Sequence, residues 1–181
     1  LPQSQTDMLP QTITGTITSL ADKFDTIVSC FANNLIPTGS HDPWGIRRAI
    51  YGILKITYEN SYNLNFEHCI DKAYEYLDMK HQPNKDKLLA FFSQRSNSFL
   101  TEQNIPYDIA NAIAPLSMCS LTKSVSVGIA LSKIKETTPV EFKTLVETAV
   151  RVKRLAKNAK QNIKVNSALF KESIENEALN E

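Results

Sequence analysis

The amino-acid sequence predicts an all-α protein, an irregular helical bundle with two packed helical parts. Signals for β-hairpins are absent, because the 181 residues include only five glycines and no Asn-Gly or Asp-Gly pair. Apolar residues instead recur at intervals of three and four, as on the buried side of a helix. The content of 42% hydrophobic and 22% charged residues is that of an ordinary soluble globular protein. No apolar run is long enough to predict a membrane span or a signal peptide.

The first two predicted helices cover residues 16–35 and 42–59. The apolar stripe of the first consists of Leu20, Phe24, Ile27, Val28 and Phe31. Pro37 is expected to end it. Asp42 is the expected N-cap of the second helix, with Pro43 at the first helical position, where a missing N–H costs nothing. The expected buried face of this helix consists of Ile46, Ile50, Ile53 and Leu54.

The next two helices are predicted on either side of Pro83. The first covers residues 66–78, and Pro83 closes it. Asn84 is expected to cap the following helix. The apolar face of that helix consists of Leu88, Leu89, Phe92, Phe99 and Leu100.

Prolines also delimit a short helix in the middle of the chain. Pro106 begins it, and Pro115 stops it after Ala114. A further helix is predicted over residues 121–135, where apolar spacing resumes.

The segment Thr138-Pro139-Val140-Glu141 has the pattern of a capping box. Thr138 is the expected cap, Pro139 the first helical residue, and Glu141 reaches back to the cap. The helix is predicted to continue to residue 160. Its inward-facing residues are expected to be Leu145, Val146, Ala149, Val152, Ala156 and Ala159. A last helix is predicted to begin at Asn166 or Ser167.

Charge is unevenly distributed along the chain, although the net charge is only +1. Residues 1–80 contain six Lys or Arg against nine Asp or Glu, whereas residues 151–181 contain seven against four. Six basic residues and no acidic residue lie between Arg151 and Lys164. A surface that binds a polyanion is therefore expected near the end of this sequence.

No catalytic or metal-binding constellation is recognisable in the sequence. Three widely spaced cysteines predict buried or half-buried thiols rather than a disulfide framework: Cys30, Cys69 and Cys119. Three histidines lack partners at ligand spacing: His41, His68 and His81. Asp22 and Asp25 share a helix face and together offer two metal ligands, but a solvated surface is the favoured interpretation.

Two specific motifs occupy residues 20–28 (Leu-Ala-Asp-Lys-Phe-Asp-Thr-Ile-Val) and residues 37–49 (Pro-Thr-Gly-Ser-His-Asp-Pro-Trp-Gly-Ile-Arg-Arg-Ala). In this order and spacing they resemble the β subunit of bacterial glycyl-tRNA synthetase. There the first motif closes an HD-like domain and the second follows it. The sequence departs from the family at residues 44–46, where Trp-Gly-Ile stands in place of the usual Phe-Ala-Leu. Residues 91–95 and 106–112 are similar to the opening helices of the family's anticodon-binding region, a bundle of the DALR type.

The resemblance covers nearly the whole chain and implies three segments of a longer protein. Residues 1–36 would be the C-terminal end of the HD-like domain, and residues 37–82 a helical connection. Residues 83–181 would be the N-terminal part of the DALR-like anticodon-binding domain, in truncated form. Asp22 would correspond to the last metal ligand of an HD site, but the upstream ligands are not in this sequence, so hydrolysis is not expected.

The function implied by the resemblance is that of the tRNA-binding portion of the β subunit of glycine–tRNA ligase, which attaches glycine to tRNA(Gly) using ATP. A separate α subunit would use the ATP and Mg²⁺, so no catalytic residue, cofactor or metal is expected in this chain. The implied partners are tRNA(Gly) and the α subunit, in a cytoplasmic α2β2 assembly with no membrane contact. Two alternatives stay open: a helical protein-interaction module with no RNA function, and a remnant HD phosphohydrolase.

The candidate tRNA-binding residues form two groups. The first is Arg47, Arg48 and Lys55, where Arg47, Tyr51 and Lys55 are spaced to form one exposed helical stripe. The second is Arg151, Lys153, Arg154, Lys157, Lys160 and Lys164. For both groups the alternative is a solvated helix face, and for Arg47 and Arg48 also an arginine that ties two helices together.

Overall fold

All regular elements are helical in the computed structural model, which describes residues 9–79 and 81–157. They are α1 (Ile13–Ala32), α2 (Ile46–Glu59), α3 (Phe66–Tyr76), α4 (Lys85–Glu102), α5 (Tyr107–Ile113), the 3₁₀ helix η1 (Ala114–Met118), α6 (Leu121–Thr137) and α7 (Pro139–Ala156). The predicted all-α class is confirmed, since no strand occurs among these described residues. The chain divides into two compact units, residues 1–137 and 138–181.

The first unit is built around one hydrophobic core, which extends from Phe24 in α1 to Val125 in α6. Helix α1 packs against α2, α3 and α4, and α4 also contacts α5 and η1. The ring of Phe66 lies 5.0 Å from that of Phe92 and 6.4 Å from that of Phe24, measured between centroids. The residues predicted to face inward from α1, α2 and α4 are buried, apart from two half-buried leucines, Leu20 and Leu89. Helical periodicity therefore identified the main part of this core.

Helix α1 begins and ends three residues earlier than predicted. Thr12 is its N-cap, and the Thr12 hydroxyl oxygen accepts a hydrogen bond from the Gly15 amide at 3.1 Å. At the other end Asn34 adopts a φ of 58°, and the Leu35 amide donates to the Cys30 carbonyl at 2.8 Å. This left-handed C-terminal turn closes the helix before Pro37 is reached.

Helix α2 begins later than predicted, because a loop occupies the expected first helical positions. The N-cap is Gly45, with a φ of 65°, and α2 begins at Ile46. Asp42 still satisfies the first turn, because its Oδ1 accepts from the Ile46 amide at 2.9 Å and its Oδ2 from the Arg47 amide at 3.0 Å. Pro43 lies in the turn rather than at the first helical position, so the carboxylate reaches the helix from outside it.

Three further helix ends differ in detail from the predictions. Asn84 is the N-cap of α4, as predicted, but it lies in the left-handed region and its side chain makes no capping hydrogen bond. Its side-chain amide instead donates to the Phe31 carbonyl at 3.0 Å, an oxygen at the end of α1 that also accepts from the Asn34 backbone amide. The short helix α5 ends at Ile113, ahead of Pro115 and one residue before its predicted end, but the chain then continues as the 3₁₀ helix η1, which includes Pro115. Helix α3 also ends at Tyr76 rather than at residue 78.

Helix α7 belongs to the second unit and differs most from its prediction. Thr138 is the N-cap and Pro139 follows it, but the Thr138 side chain makes no capping hydrogen bond. No residue of α7 is buried, so the predicted inward face is wrong for Leu145, Val146, Ala149, Val152 and Ala156. A helical pattern shows which side is apolar, but not whether another element covers it. The predicted continuation to residue 160, with Ala159, and the final helix lie outside the described residues.

Candidate nucleic-acid interface

The predicted basic residues are distributed over both units. Arg47, Arg48 and Lys55 lie on α2, in the first unit. In the second unit the described candidates are Arg151, Lys153, Arg154 and Lys157. Lys160 and Lys164 lie outside the described residues.

Arg47 is held by three contacts within the first unit. Its Nη2 donates a hydrogen bond to the Gly39 carbonyl at 2.7 Å, and its Nη1 lies 3.8 Å from Asp42 Oδ2. Its guanidinium carbon lies 5.9 Å from the centroid of the Phe91 ring. These contacts connect the loop before α2 to α2 and α4, which agrees with the alternative that Arg47 ties two helices together. A phosphate contact by Arg47 stays a prediction.

The stripe formed by Arg47, Tyr51 and Lys55 is half-buried, so the prediction that it is exposed is wrong. The physical reason is that α4 packs against α2. Tyr51 donates from its hydroxyl to Glu102 Oε2 at 2.9 Å, and its ring lies 6.0 Å from that of Phe99. Burial, together with the hydrogen bond to the Glu102 carboxylate, raises the pKa of Tyr51 above its ordinary value.

Arg48 is the exposed member of the α2 group. A methyl group added to Gly45 would lie 2.9 Å from Arg48 Nη2, so the guanidinium lies directly against the left-handed residue before α2. The positive φ is what favours glycine at this position, since the far end of the exposed Arg48 side chain can move aside for a larger residue.

The last two turns of α7 form the densest exposed group of cations in the described part of the chain. Arg151, Lys153, Arg154 and Lys157 are all exposed, and no acidic residue occurs from residue 148 to residue 157. Arg151 and Arg154 are three residues apart, and Lys153 and Lys157 four, so neighbouring cations lie within one turn of each other. The last acidic residue before them, Glu147, lies 3.9 Å from Lys143 in the preceding turn.

A cleft beside α4 contains a candidate that sequence reasoning missed. Arg95 lies over the Phe91 ring, 5.6 Å from its centroid, and its Nε is buried without a hydrogen-bond partner. It lines a cleft of about 490 Å³, formed by α4 and by Tyr107 at the start of α5. The sequence signal was a polar face at helical spacing, including Gln94 and Ser98, which apolar periodicity does not reveal.

Two side-chain contacts hold α5 beside this cleft. Asn97 of α4 donates from its amide to Asn111 Oδ1 at 3.2 Å. Lys135 of α6 donates to Asp108 Oδ2 at 2.6 Å, and this hydrogen bond lowers the pKa of Asp108. These contacts hold α5 from both sides and thereby fix the position of its first residue, Tyr107.

The described part of the chain contains neither a membrane-spanning helix nor a cluster of metal ligands. No helix there has the length and apolar character needed to cross a bilayer. Over residues 9–79 and 81–157, no three His, Cys, Asp or Glu side chains come together as metal ligands, and Asp22 and Asp25 belong to no such group. The three cysteines are free, but Cys119 is exposed rather than buried or half-buried as predicted.

Comparison with known proteins gives a consistent result. A sequence model of the family described as "Glycyl-tRNA synthetase beta subunit" matches residues 1–115. The glycine–tRNA ligase beta subunit of Shouchella clausii is 33% identical over 99% of this chain and 26% of its own length. That of Halalkalibacterium halodurans is 34% identical over 97% of this chain and 26% of its own length, and that of Aquifex aeolicus 37% identical over 97% and 25%. The chain thus spans about a quarter of the length of the curated relatives it matches.

Proposed function

Because the chain belongs to the family of glycyl-tRNA synthetase β subunits, we propose that it is the tRNA-binding portion of the β subunit of a glycine–tRNA ligase. The reaction of the whole protein would join glycine to tRNA(Gly) with ATP and Mg²⁺. The α subunit would hold these cofactors, and this chain would contribute to holding the RNA. The proposal rests on the family and on the exposed cations of α7.

The basic run on α7 is the observation that supports RNA binding. Phosphate groups are the most numerous anions on any RNA, and exposed Lys and Arg side chains neutralise them without reading the sequence. Arg151, Lys153, Arg154 and Lys157 are exposed on consecutive turns, and no carboxylate stands among them to compete with a phosphate.

Such contacts have a measurable consequence in the salt dependence of binding. Each neutralised phosphate contributes about 0.7–0.9 to the slope of log affinity against log salt concentration. Removing three contacts should therefore reduce that slope by about 2–3 and weaken binding at 0.1 M salt by roughly 100- to 500-fold.

The experiment compares two variants that lose equal charge. The first carries Arg151→Gln, Arg154→Gln and Lys157→Gln, and glutamine keeps a high helix propensity. The matched control replaces three exposed lysines elsewhere by glutamine: Lys87, Lys123 and Lys133. Binding to a tRNA(Gly) transcript is measured by filter retention at several salt concentrations. We expect the first variant to lose affinity and slope, and the control to stay within about threefold of the unaltered chain.

The opposite outcomes reject the proposal. Equal losses in both variants would mean that net charge, rather than α7, governs binding. No salt-dependent binding by the unaltered chain would remove the RNA-binding function altogether. One observation favours the alternative of a protein-interaction module, namely the exposed apolar side of α7 that includes Leu145 and Val152. That alternative predicts no effect of either charge variant on RNA binding.

A further inference from the structure

Helix α7 is an amphipathic helix whose apolar side has no cover among the described residues. None of its 18 residues is buried, and six of them are β-branched, which lowers the intrinsic helix propensity. Helices in proteins gain most of their stability from packing of an apolar face. On the apolar side of α7, Leu145 is 60% and Val152 58% exposed, and the small side chain of Ala149 lies between them. This side therefore requires an occupant with an apolar stripe of its own.

The chain contains such a stripe shortly after α7. Phe170, Ile174 and Ala178 follow one another at intervals of four, the spacing of one side of a helix. They belong to residues 166–181, for which the sequence predicts a helix and which lie outside the described residues.

We propose that residues 166–181 cover the apolar side of α7 as the second helix of an antiparallel hairpin. Going backwards along α7 and forwards along the segment, the two stripes stay in step, because both advance by one helical turn at each residue. A large side chain then meets a smaller one at each level, as close packing requires. The facing pairs are Val152 with Phe170, Ala149 with Ile174, and Leu145 with Ala178.

Charge favours the same pairing. Residues 139–157 contain five Lys or Arg and two Glu, whereas residues 166–181 contain one Lys and four Glu. The first stretch is therefore positive and the second negative by the same amount, so the two attract each other. A second copy of α7 in the same place would instead repel the first.

The short connection also favours the segment over a second copy of the chain. Residues 158–166 can extend to roughly 30 Å, and the axes of packed helices are only about 8–10 Å apart. A connection of this length keeps the segment at an effective concentration in the millimolar range. A second copy would have to compete with it from solution.

Covering this side leaves most of the proposed RNA surface open. Lys153 lines the apolar side, whereas Arg151, Arg154 and Lys157 do not. The segment and the RNA would contact different sides of α7, so either contact can exist without the other.

Disulfide formation between introduced cysteines tests the hairpin directly. The facing pair is Ala149→Cys with Ile174→Cys, in a chain whose exposed thiol is removed by Cys119→Ser. The matched control is Val150→Cys with Ile174→Cys, since Val150 points about 100° away around the helix and does not line the apolar side. Because a disulfide requires Cα atoms within about 7 Å, we expect the facing pair to form an intrachain bond at least about fivefold faster under mild oxidation.

Hydrogen exchange, followed by mass spectrometry, tests whether the segment stabilises α7. Phe170→Asp with Ile174→Asp should detach the segment, so that the amides of α7 exchange about tenfold faster or more. The control, Ser173→Asp with Asn176→Asp, adds the same charge on another side of the predicted helix. It should change the exchange rates of α7 by less than about twofold.

The results either support or overturn the hairpin. A faster bond in the facing pair, together with faster exchange of α7 in the Phe170 and Ile174 variant alone, supports it. Equal bonding rates in the two cysteine pairs overturn it, and so does exchange of α7 that the Phe170 and Ile174 variant leaves unchanged. A disulfide of the facing pair that joins two chains assigns the apolar side to a second copy and overturns the hairpin as well. None of these results depends on RNA, so the proposed function stands or fails separately.

Discussion

Arg47→Ala tests whether the loop before α2 is a structural joint or a contact with RNA. The side chain of Arg47 is 27% exposed, and it binds the Gly39 carbonyl, the Asp42 carboxylate and the face of the Phe91 ring. Alanine removes all three contacts. It leaves in place the two hydrogen bonds by which Asp42 accepts from the first amides of α2.

The magnitude follows from these contacts. A hydrogen bond from a charged donor contributes about 1.5–3 kcal/mol, a partly exposed ion pair about 0–1 kcal/mol and a cation–π contact about 0.5–1 kcal/mol. One side chain makes all three and regains conformational entropy when released, so the contributions do not simply add. We expect the free energy of unfolding to fall by about 2–3 kcal/mol, which lowers Tm by roughly 5–10 °C in a domain of this size.

Urea denaturation followed by circular dichroism at 222 nm measures this loss, and tRNA affinity is measured in parallel. Arg47→Lys keeps the charge but not the planar donor group, so an intermediate loss is expected. Lys87→Ala, an exposed substitution on α4, should change stability by less than about 0.5 kcal/mol. The reasoning is refuted if Arg47→Ala is as stable as the unaltered chain. A loss of tRNA affinity in that stable variant would identify Arg47 as an RNA contact.

Two further predictions concern packing and thiol reactivity. Gly128→Ala places a methyl group 2.6 Å from Ile105 Cδ1 and 2.7 Å from Ile113 Cδ1. We expect the variant to be less stable, because overpacking costs about 1–3 kcal/mol whereas the gain in helix propensity is about 1 kcal/mol. A variant that resists urea better than the original chain would contradict this. Burial raises the pKa of Cys30 and of Cys69, whereas Cys119 is exposed. With Ellman's reagent at pH 8, Cys119 should therefore react first and the other two only at higher pH or in urea, and three equal rates would be inconsistent with the structure.

The helical elements of the first unit were largely predictable because their signals are local. Apolar residues at helical spacing identified the buried faces of α1, α2 and α4, where Phe31, Ile50 and Phe92 are fully buried. Helix boundaries were less accurate. Asp42, for example, caps α2 from outside the helix through its side chain, a geometry that a position-by-position capping rule does not describe.

The candidate site was predictable only where charge alone defines it. The acid-free run from Arg151 to Lys157 is visible in the sequence, and these residues are exposed on α7. The cleft beside α4 was not predictable, because it brings Arg95 and Glu102 together with Tyr107 from another helix. Nothing in the spacing within α4 indicates which side chain a following helix will place beside it.

The sequence by itself determined the helical class, the inward faces of the first unit, the basic run and the family, since each depends on residue identity and short spacing. The tertiary structure decided which partners individual side chains have, because these depend on long-range contacts. The side chain of Asn84, the N-cap of α4, binds the Phe31 carbonyl instead of the first amides of its own helix. Arg47 binds the Gly39 carbonyl, the Asp42 carboxylate and the Phe91 ring instead of lying open to solvent. The apolar side of α7 is likewise exposed rather than buried. A side chain's partner depends on which distant groups the fold brings near it, and local periodicity contains no information about those groups.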